Sequence, residues 1–361
     1  MNFKLFFACA LSVVALGFTS CSDDDDEKPG TEVPETPDVP EAQPDGPQKM
    51  ILQGKVADGT PEGVYANMVY VDFSKNVQTG VARKSWYLGF YCGEDFHVTL
   101  NQSLARAAST GKTDFAAVSL KDAEAAPELS AGMMDFPSDV TISDNATRDL
   151  DKTIFGEIAS DEAQSNVFLV ATTDLKDRNS WFKVKVSRQE NGYKVAYGRV
   201  NDTTPTVIVV KKESEKTFVG FSLETGAVVE LPQQWDLMWS NAIALNKMPN
   251  GREILGPASD VIATNSYNNV ETAVVMVEEV GKYADFTKEG LSKVKFQKEA
   301  NVIGTAWRTA PMPNATPGPK ADRFYVIKDT EGNYYKLRFL HFCEEDGGER
   351  GCPELEFELL K

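Results

Sequence analysis

Few side chains in this sequence could carry chemistry. Among its 361 residues are two histidines, His97 and His341, with five cysteines and nine methionines. Both histidines lie in strand-like alternation, Phe96-His97-Val98 and Leu340-His341-Phe342, where an imidazole more often packs or faces solvent than binds a metal. Gly-x-Ser-x-Gly, His-Glu-x-x-His, phosphate-cradling glycine loops and zinc-spaced Cys/His pairs are all missing. The 54 acidic residues could supply a glycosidase-like carboxylate pair, but their abundance in an acidic chain is weak evidence for one. An enzyme is not expected. Cys343 and Cys352 flank the polar segment Glu344–Gly351 between two strand patterns. A hairpin there would set the two sulfurs within disulfide reach and leave Cys92 free.

The elements that would position these groups begin after residue 50. Lys4, the apolar run Leu5–Phe18 and then Thr19-Ser20-Cys21 follow the order of a secretory signal, residues 1–20. The apolar run is too short for the roughly 20 residues a membrane-spanning helix needs. Small residues before a cysteine resemble a bacterial lipobox, so Cys21 is expected to be lipidated. Ser22–Glu27 resembles the acidic surface-export signal of Bacteroidetes lipoproteins. Together they imply a lipid-anchored protein on the outer membrane, facing the medium. Residues 21–50 hold six prolines and almost nothing apolar, which predicts an extended tether. Residues 23–50 carry ten acidic and two basic side chains, so about half of the net charge of −17 belongs to the tether. The folded part is only mildly acidic, which argues against nucleic acid as a partner.

The remaining 310 or so residues are long enough for two cores. Period-two alternation dominates, as in Tyr70–Phe73, Phe182–Val186, Val207–Val210, Tyr334–Phe342 and Leu355–Leu359, and predicts an all-β fold. Glu190-Asn191-Gly192, Glu224-Thr225-Gly226 and Thr330–Asn333 read as hairpin turns. Short helices are expected near 114–125 and 285–294, the second capped by Asp285.

The two halves share an order of landmarks. Tyr70-Val71-Asp72-Phe73-Ser74, Trp86–Phe90 and Thr99-Leu100-Asn101 are answered by Phe218–Ser222, Trp235–Trp239 and Ala244-Leu245-Asn246. Further on, Phe168-Leu169-Val170, Trp181–Ser187 and Tyr193–Val200 are answered by Phe324-Tyr325-Val326, Tyr334–Leu340 and Leu355–Leu360. Duplication predicts two tandem domains, 51–202 and 203–361, joined near Asn201–Pro205.

With these landmarks in order, the chain resembles the HmuY family of Bacteroidetes haem-binding lipoproteins, in two copies. The aromatic-x-Phe-Ser strand, Trp235-Asp236-Leu237-Met238, Leu245-Asn246 and Arg323–Val326 with Gly332-Asn333 carry the resemblance. It implies an all-β fold that holds haem between loop tips and passes it to a TonB-dependent outer-membrane receptor. The best-known family pattern uses a histidine pair, and neither His97 nor His341 lies in the family's ligand loops. A methionine thioether is an alternative donor to haem iron. Counting five residues from Trp307, as the family counts to its second ligand, reaches Met312 in the loop Ala310–Asn314. Its partner would be Met276, in a run that also reads as a buried strand, and in the first half Met133-Met134 are comparable. The competing expectation is a non-enzymatic surface lipoprotein that binds glycan or protein through aromatic loops.

Overall fold

The computed structural model describes residues 46–129, 142–247 and 253–361. The expected signal, Cys21 with its export run, most of the tether and Met133-Met134 lie outside these residues.

The alternating segments form antiparallel strands. In the first half they are β1 (Gln48–Ile51), β2 (Asn67–Asp72), β3 (Val77–Ala82), β4 (Leu88–Tyr91), β5 (Val98–Leu100), β6 (Arg106–Ser109), β7 (Val167–Ala171), β8 (Phe182–Arg188) and β9 (Gly192–Arg199). In the second they are β10 (Thr206–Lys211), β11 (Phe218–Phe221), β12 (Val228–Val229), β13 (Leu237–Lys247), β14 (Glu253–Thr264) and β15 (Glu271–Met276). The last five are β16 (Arg308–Thr309), β17 (Gly318–Pro319), β18 (Arg323–Lys328), β19 (Tyr334–His341) and β20 (Glu354–Leu359). The three turns read in the sequence join β8 to β9, β11 to β12 and β18 to β19. Glu190, Gly226 and Gly332 take positive φ in them, as tight hairpins require.

The sheets come in two pairs of one plan. Five-stranded sheets run β10-β9-β8-β7-β6 and β1-β20-β19-β18-β15, and four-stranded sheets run β12-β11-β4-β5 and β14-β13-β2-β3. In every case a strand from one half closes a sheet of the other. β1, which opens the chain's first half, pairs with β20 at its end, and β10 pairs back onto β9. β2 pairs with β13, and β11 pairs with β4.

The hydrophobic cores follow this exchange. One core runs from Tyr87 to Leu223 and includes Phe90, Phe168, Tyr193, Val210 and Phe221. The other joins Met50, Val69 and Phe73 to Trp239, Tyr325, Leu337 and Phe357. A cut at 202/203 would pass through both. The exchange is invisible in the landmarks, because strands of either copy present the same alternation and the same backbone donors to a sheet edge. Each large side chain that these cores bury completely contributes about 1.5–3 kcal/mol relative to exposure.

Two buried asparagines bond alike. Asn101 and Asn265 are both fully buried. The Asn101 side-chain amide donates to the Trp86 carbonyl at 2.9 Å, and that of Asn265 donates to the Trp235 carbonyl at 3.0 Å. Asn265 thus makes to Trp235 the bond that Asn101 makes to Trp86.

Helix is sparse. α1 (Leu120–Ala125) begins at a Ser119/Asp122 capping box, inside the range expected for it. The second expected helix is two 3-10 turns, Tyr283–Asp285 and Lys288–Lys293. Asp285 closes the first turn and does not cap a helix. Gly290 lies so close to the Phe286 ring that a Cβ there would sit 2.6 Å from it, and this packing holds the interruption.

Candidate functional site

Met312 stands at the tip of the β16–β17 hairpin, and its base is fixed by Trp307. The Trp307 ring is 1% exposed and lies 4.2 Å from the Phe339 ring and 5.4 Å from that of Phe342. Its Nε1 donates to the Asp260 carbonyl at 2.9 Å. Lys320 N donates to the Trp307 carbonyl at 2.7 Å and closes the hairpin. Beyond this anchor Pro311, Met312, Pro313 and Asn314 are exposed.

The tip itself is stiff. Ala315 N donates to the Met312 carbonyl at 3.1 Å, and Asn314 has φ of +64°. Proline second and a left-handed Asn third is the pattern of a type II turn. Pro311 and Pro313 fix their own φ on either side of Met312. The thioether is therefore presented to solvent, 65% exposed, from backbone that has little freedom to lose on binding. A large apolar side chain so placed is not filling a core.

Asp260 ties the base to the rest of the fold. The β13–β14 register slips between Ser240 and Ala242, so Ser259 and Asp260 bulge opposite Asn241, and Asp260 takes φ of +54°. Its fully buried carboxylate lies 3.5 Å from Arg308 Nε and 3.3 Å from Arg350 Nη2, and accepts from Tyr65 Oη at 3.2 Å. Arg308 also donates to the Ser259 carbonyl at 2.5 Å, and its guanidinium stacks 5.4 Å from the Phe342 ring. Burial lowers the Arg308 pKa, with Asp260 opposing, and burial raises the Tyr65 phenol to about 12. Removing one member of such a buried charged group costs about 3–5 kcal/mol, which makes this knot a firm platform for the hairpin. Sequence reading missed it, since Asp260, Arg308 and Arg350 lie in no motif. A bulge is the device that brings them together.

The other candidates are placed as follows. Met276 is half-buried at the end of β15, opposite Arg323 on β18, on a different sheet from Met312. His97 is 4% exposed and bridges Glu157 through its backbone. His341 is half-buried at the end of β19 with Nδ1 2.7 Å from the Asp346 carbonyl. Among the described residues no three His, Cys, Asp or Glu converge on a metal-sized position.

The bridge expected between Cys343 and Cys352 is not formed, and Cys92, Cys343 and Cys352 are free thiols. After β19 the chain turns into a 3-10 turn, Glu344–Asp346, with Cys343 at its N-cap. Gly351 and Pro353 on either side of Cys352 instead accept from Gly54 N and Leu52 N. The two strands thus part before the cysteines come opposite. Burial raises the Cys343 thiol to about 11, so it stays protonated and unreactive.

Compared with known protein families, residues 64–357 match the HmuY protein model. The chain belongs to the HmuY family. Comparison with curated proteins and with solved structures finds no match. The HmuY match runs as one span over both cores and includes the Met312 hairpin, whereas the sequence landmarks had suggested two copies. HmuY-family members are surface haem-binding proteins. No helix among the described residues is long and apolar enough to cross a membrane.

Proposed function

We propose that this HmuY-family chain is a haem-binding surface lipoprotein that offers Met312 to the iron. The observation that carries the reading is a thioether 65% exposed at the tip of a proline-stiffened turn on a buried anchor, within the span matched to the family. Haem, when bound, supplies an iron that accepts a soft axial donor. Met312 would donate sulfur, Pro311 and Pro313 would hold it in place, and Met276 is the candidate for a second donor. The acidic export run and lipid on Cys21 would tether the protein outside the cell, and a TonB-dependent receptor would take the haem onward. This is a binder's role and needs no catalytic residue.

Hemin added to the purified protein should give a Soret band, stronger on reduction because a thioether favours ferrous iron. Met312→Ala should weaken binding and shift the band, while His97→Ala and His341→Ala should change neither. Absence of a Soret band under oxidising and reducing conditions would overturn the proposal. A band lost with either histidine and untouched by Met312→Ala would overturn the ligand assignment.

A further inference from the structure

Met312 is the one methionine among the described residues that stands mostly in solvent, 65% exposed. Met50, Met68 and Met238 are buried in the cores, and Met276 is half-buried on β15. A thioether has no proton to lose, so its reactivity follows access to the sulfur lone pairs. At the tip that access is open. The turn is closed by main-chain atoms, Ala315 N donating to the Met312 carbonyl at 3.1 Å, and Pro311 and Pro313 bring no N–H that could engage the sulfur.

The other sulfur nucleophiles do not compete. Burial raises the thiols of Cys92, Cys343 and Cys352 above their ordinary range, and Cys92 and Cys343 are buried outright. A protonated thiol is a poor nucleophile. A mild oxidant arriving from the medium therefore meets the Met312 sulfur first.

We propose that Met312 is an oxidation site at which a hydroperoxide switches off haem binding; the switch rests on the haem-binding reading above. The sulfur lone pair attacks the outer peroxide oxygen, and an S–O bond forms as the O–O bond breaks. The proton on the transferred oxygen passes to the departing one, which leaves as water, or as an alcohol from an alkyl hydroperoxide. Sulfur gives up two electrons and the peroxide takes them. The product is methionine sulfoxide, which sets a hard oxygen where a soft sulfur stood.

Two features make this a switch and not damage. Ala310, Pro311, Pro313 and Asn314 offer no soft donor to replace the lost one, so the hairpin has no second way to hold iron. The fold, in contrast, loses nothing. On Met312 the new oxygen meets water, whereas on Met68 or Met238 it would enter a core. Sulfoxide is also reducible by enzymes specific for each of its two epimers, so the change can be reversed.

The test treats the intact, hemin-free protein with hydrogen peroxide, quenches it with catalase and follows each methionine by peptide mass spectrometry. One added oxygen should appear on Met312 before any on Met50, Met68, Met238 or Met276. Protein oxidised there should keep the urea midpoint of untreated protein, while its hemin affinity and Soret band become those of Met312→Ala. Methionine sulfoxide reductases should restore both. Peroxide should not lower the residual hemin binding of Met312→Ala any further. Untreated protein that binds no hemin would overturn the haem reading and the switch with it. Binding that is present before treatment and undiminished once Met312 is oxidised would overturn the switch alone. So would oxidation of a core methionine first, a loss of binding that the reductases do not reverse, or an equal loss on treating Met312→Ala.

Discussion

Lys183 on β8 and Lys336 on β19 stand at matching places in the two five-stranded sheets and bond alike to backbone carbonyls, Lys336 adding an ion pair to Glu358 at 3.0 Å. The Lys183 ammonium is 1% exposed and donates to the carbonyls of Phe115 and Val118 at 3.0 and 2.5 Å. Lys336, 5% exposed, donates to those of Tyr283 and Phe286 at 3.2 Å each. Each also lies over the ring of its first partner, Lys183 4.6 Å from Phe115 and Lys336 4.9 Å from Tyr283. A buried lysine thus pins one turn of chain onto each five-stranded sheet. Replacing Lys183 with Met keeps the stem but leaves two carbonyls without their donor, and unfolding in urea should show a loss of about 1–3 kcal/mol. A change within about 0.5 kcal/mol, as at an ordinary surface site, would show the bonds to be dispensable.

The exchanged strands predict which pieces of the chain fold alone. A fragment of residues 84–231 holds β4 to β12 and all of one core, and should be cooperative with dispersed amide resonances. A fragment of residues 51–202 lacks β10 and β11 and carries β2 and β3 without β13, so it should remain unfolded or aggregate through its open edges. The reverse outcome would mean that the halves fold by sequence order.

Asp236 sets a pH dependence. Burial raises its carboxyl to about 7, although the Phe73 amide donating at 2.7 Å works against this. In the unfolded chain an aspartate titrates near 3.9. The folded state therefore binds the proton more tightly, and the penalty is absent below about pH 4, grows as pH rises and is complete above about pH 7. Asp236→Asn removes it, so the variant should gain on the parent across that window, by on the order of 2–4 kcal/mol at neutral pH. Parallel stability curves from pH 4 to pH 8 would disprove the assignment.

The cysteines give a direct count. Denatured, non-reduced protein of residues 50–361 should titrate three thiols, from Cys92, Cys343 and Cys352. Finding one would restore the Cys343–Cys352 bridge, which requires the two strands to stay paired past His341.

The sequence by itself determined the strand content, the three hairpin turns and the exposure of Met312, because alternation, Gly-containing turns and flanking prolines are local properties. Lys183 and Lys336 were even aligned by the landmarks before their roles were visible. Only the tertiary structure decided that β1, β2, β10 and β11 cross to the other half, since a sheet edge accepts any strand of suitable alternation and the choice depends on long-range closure. It also decided that Cys343 and Cys352 part and that Asp260, Arg308 and Arg350 meet at a bulge.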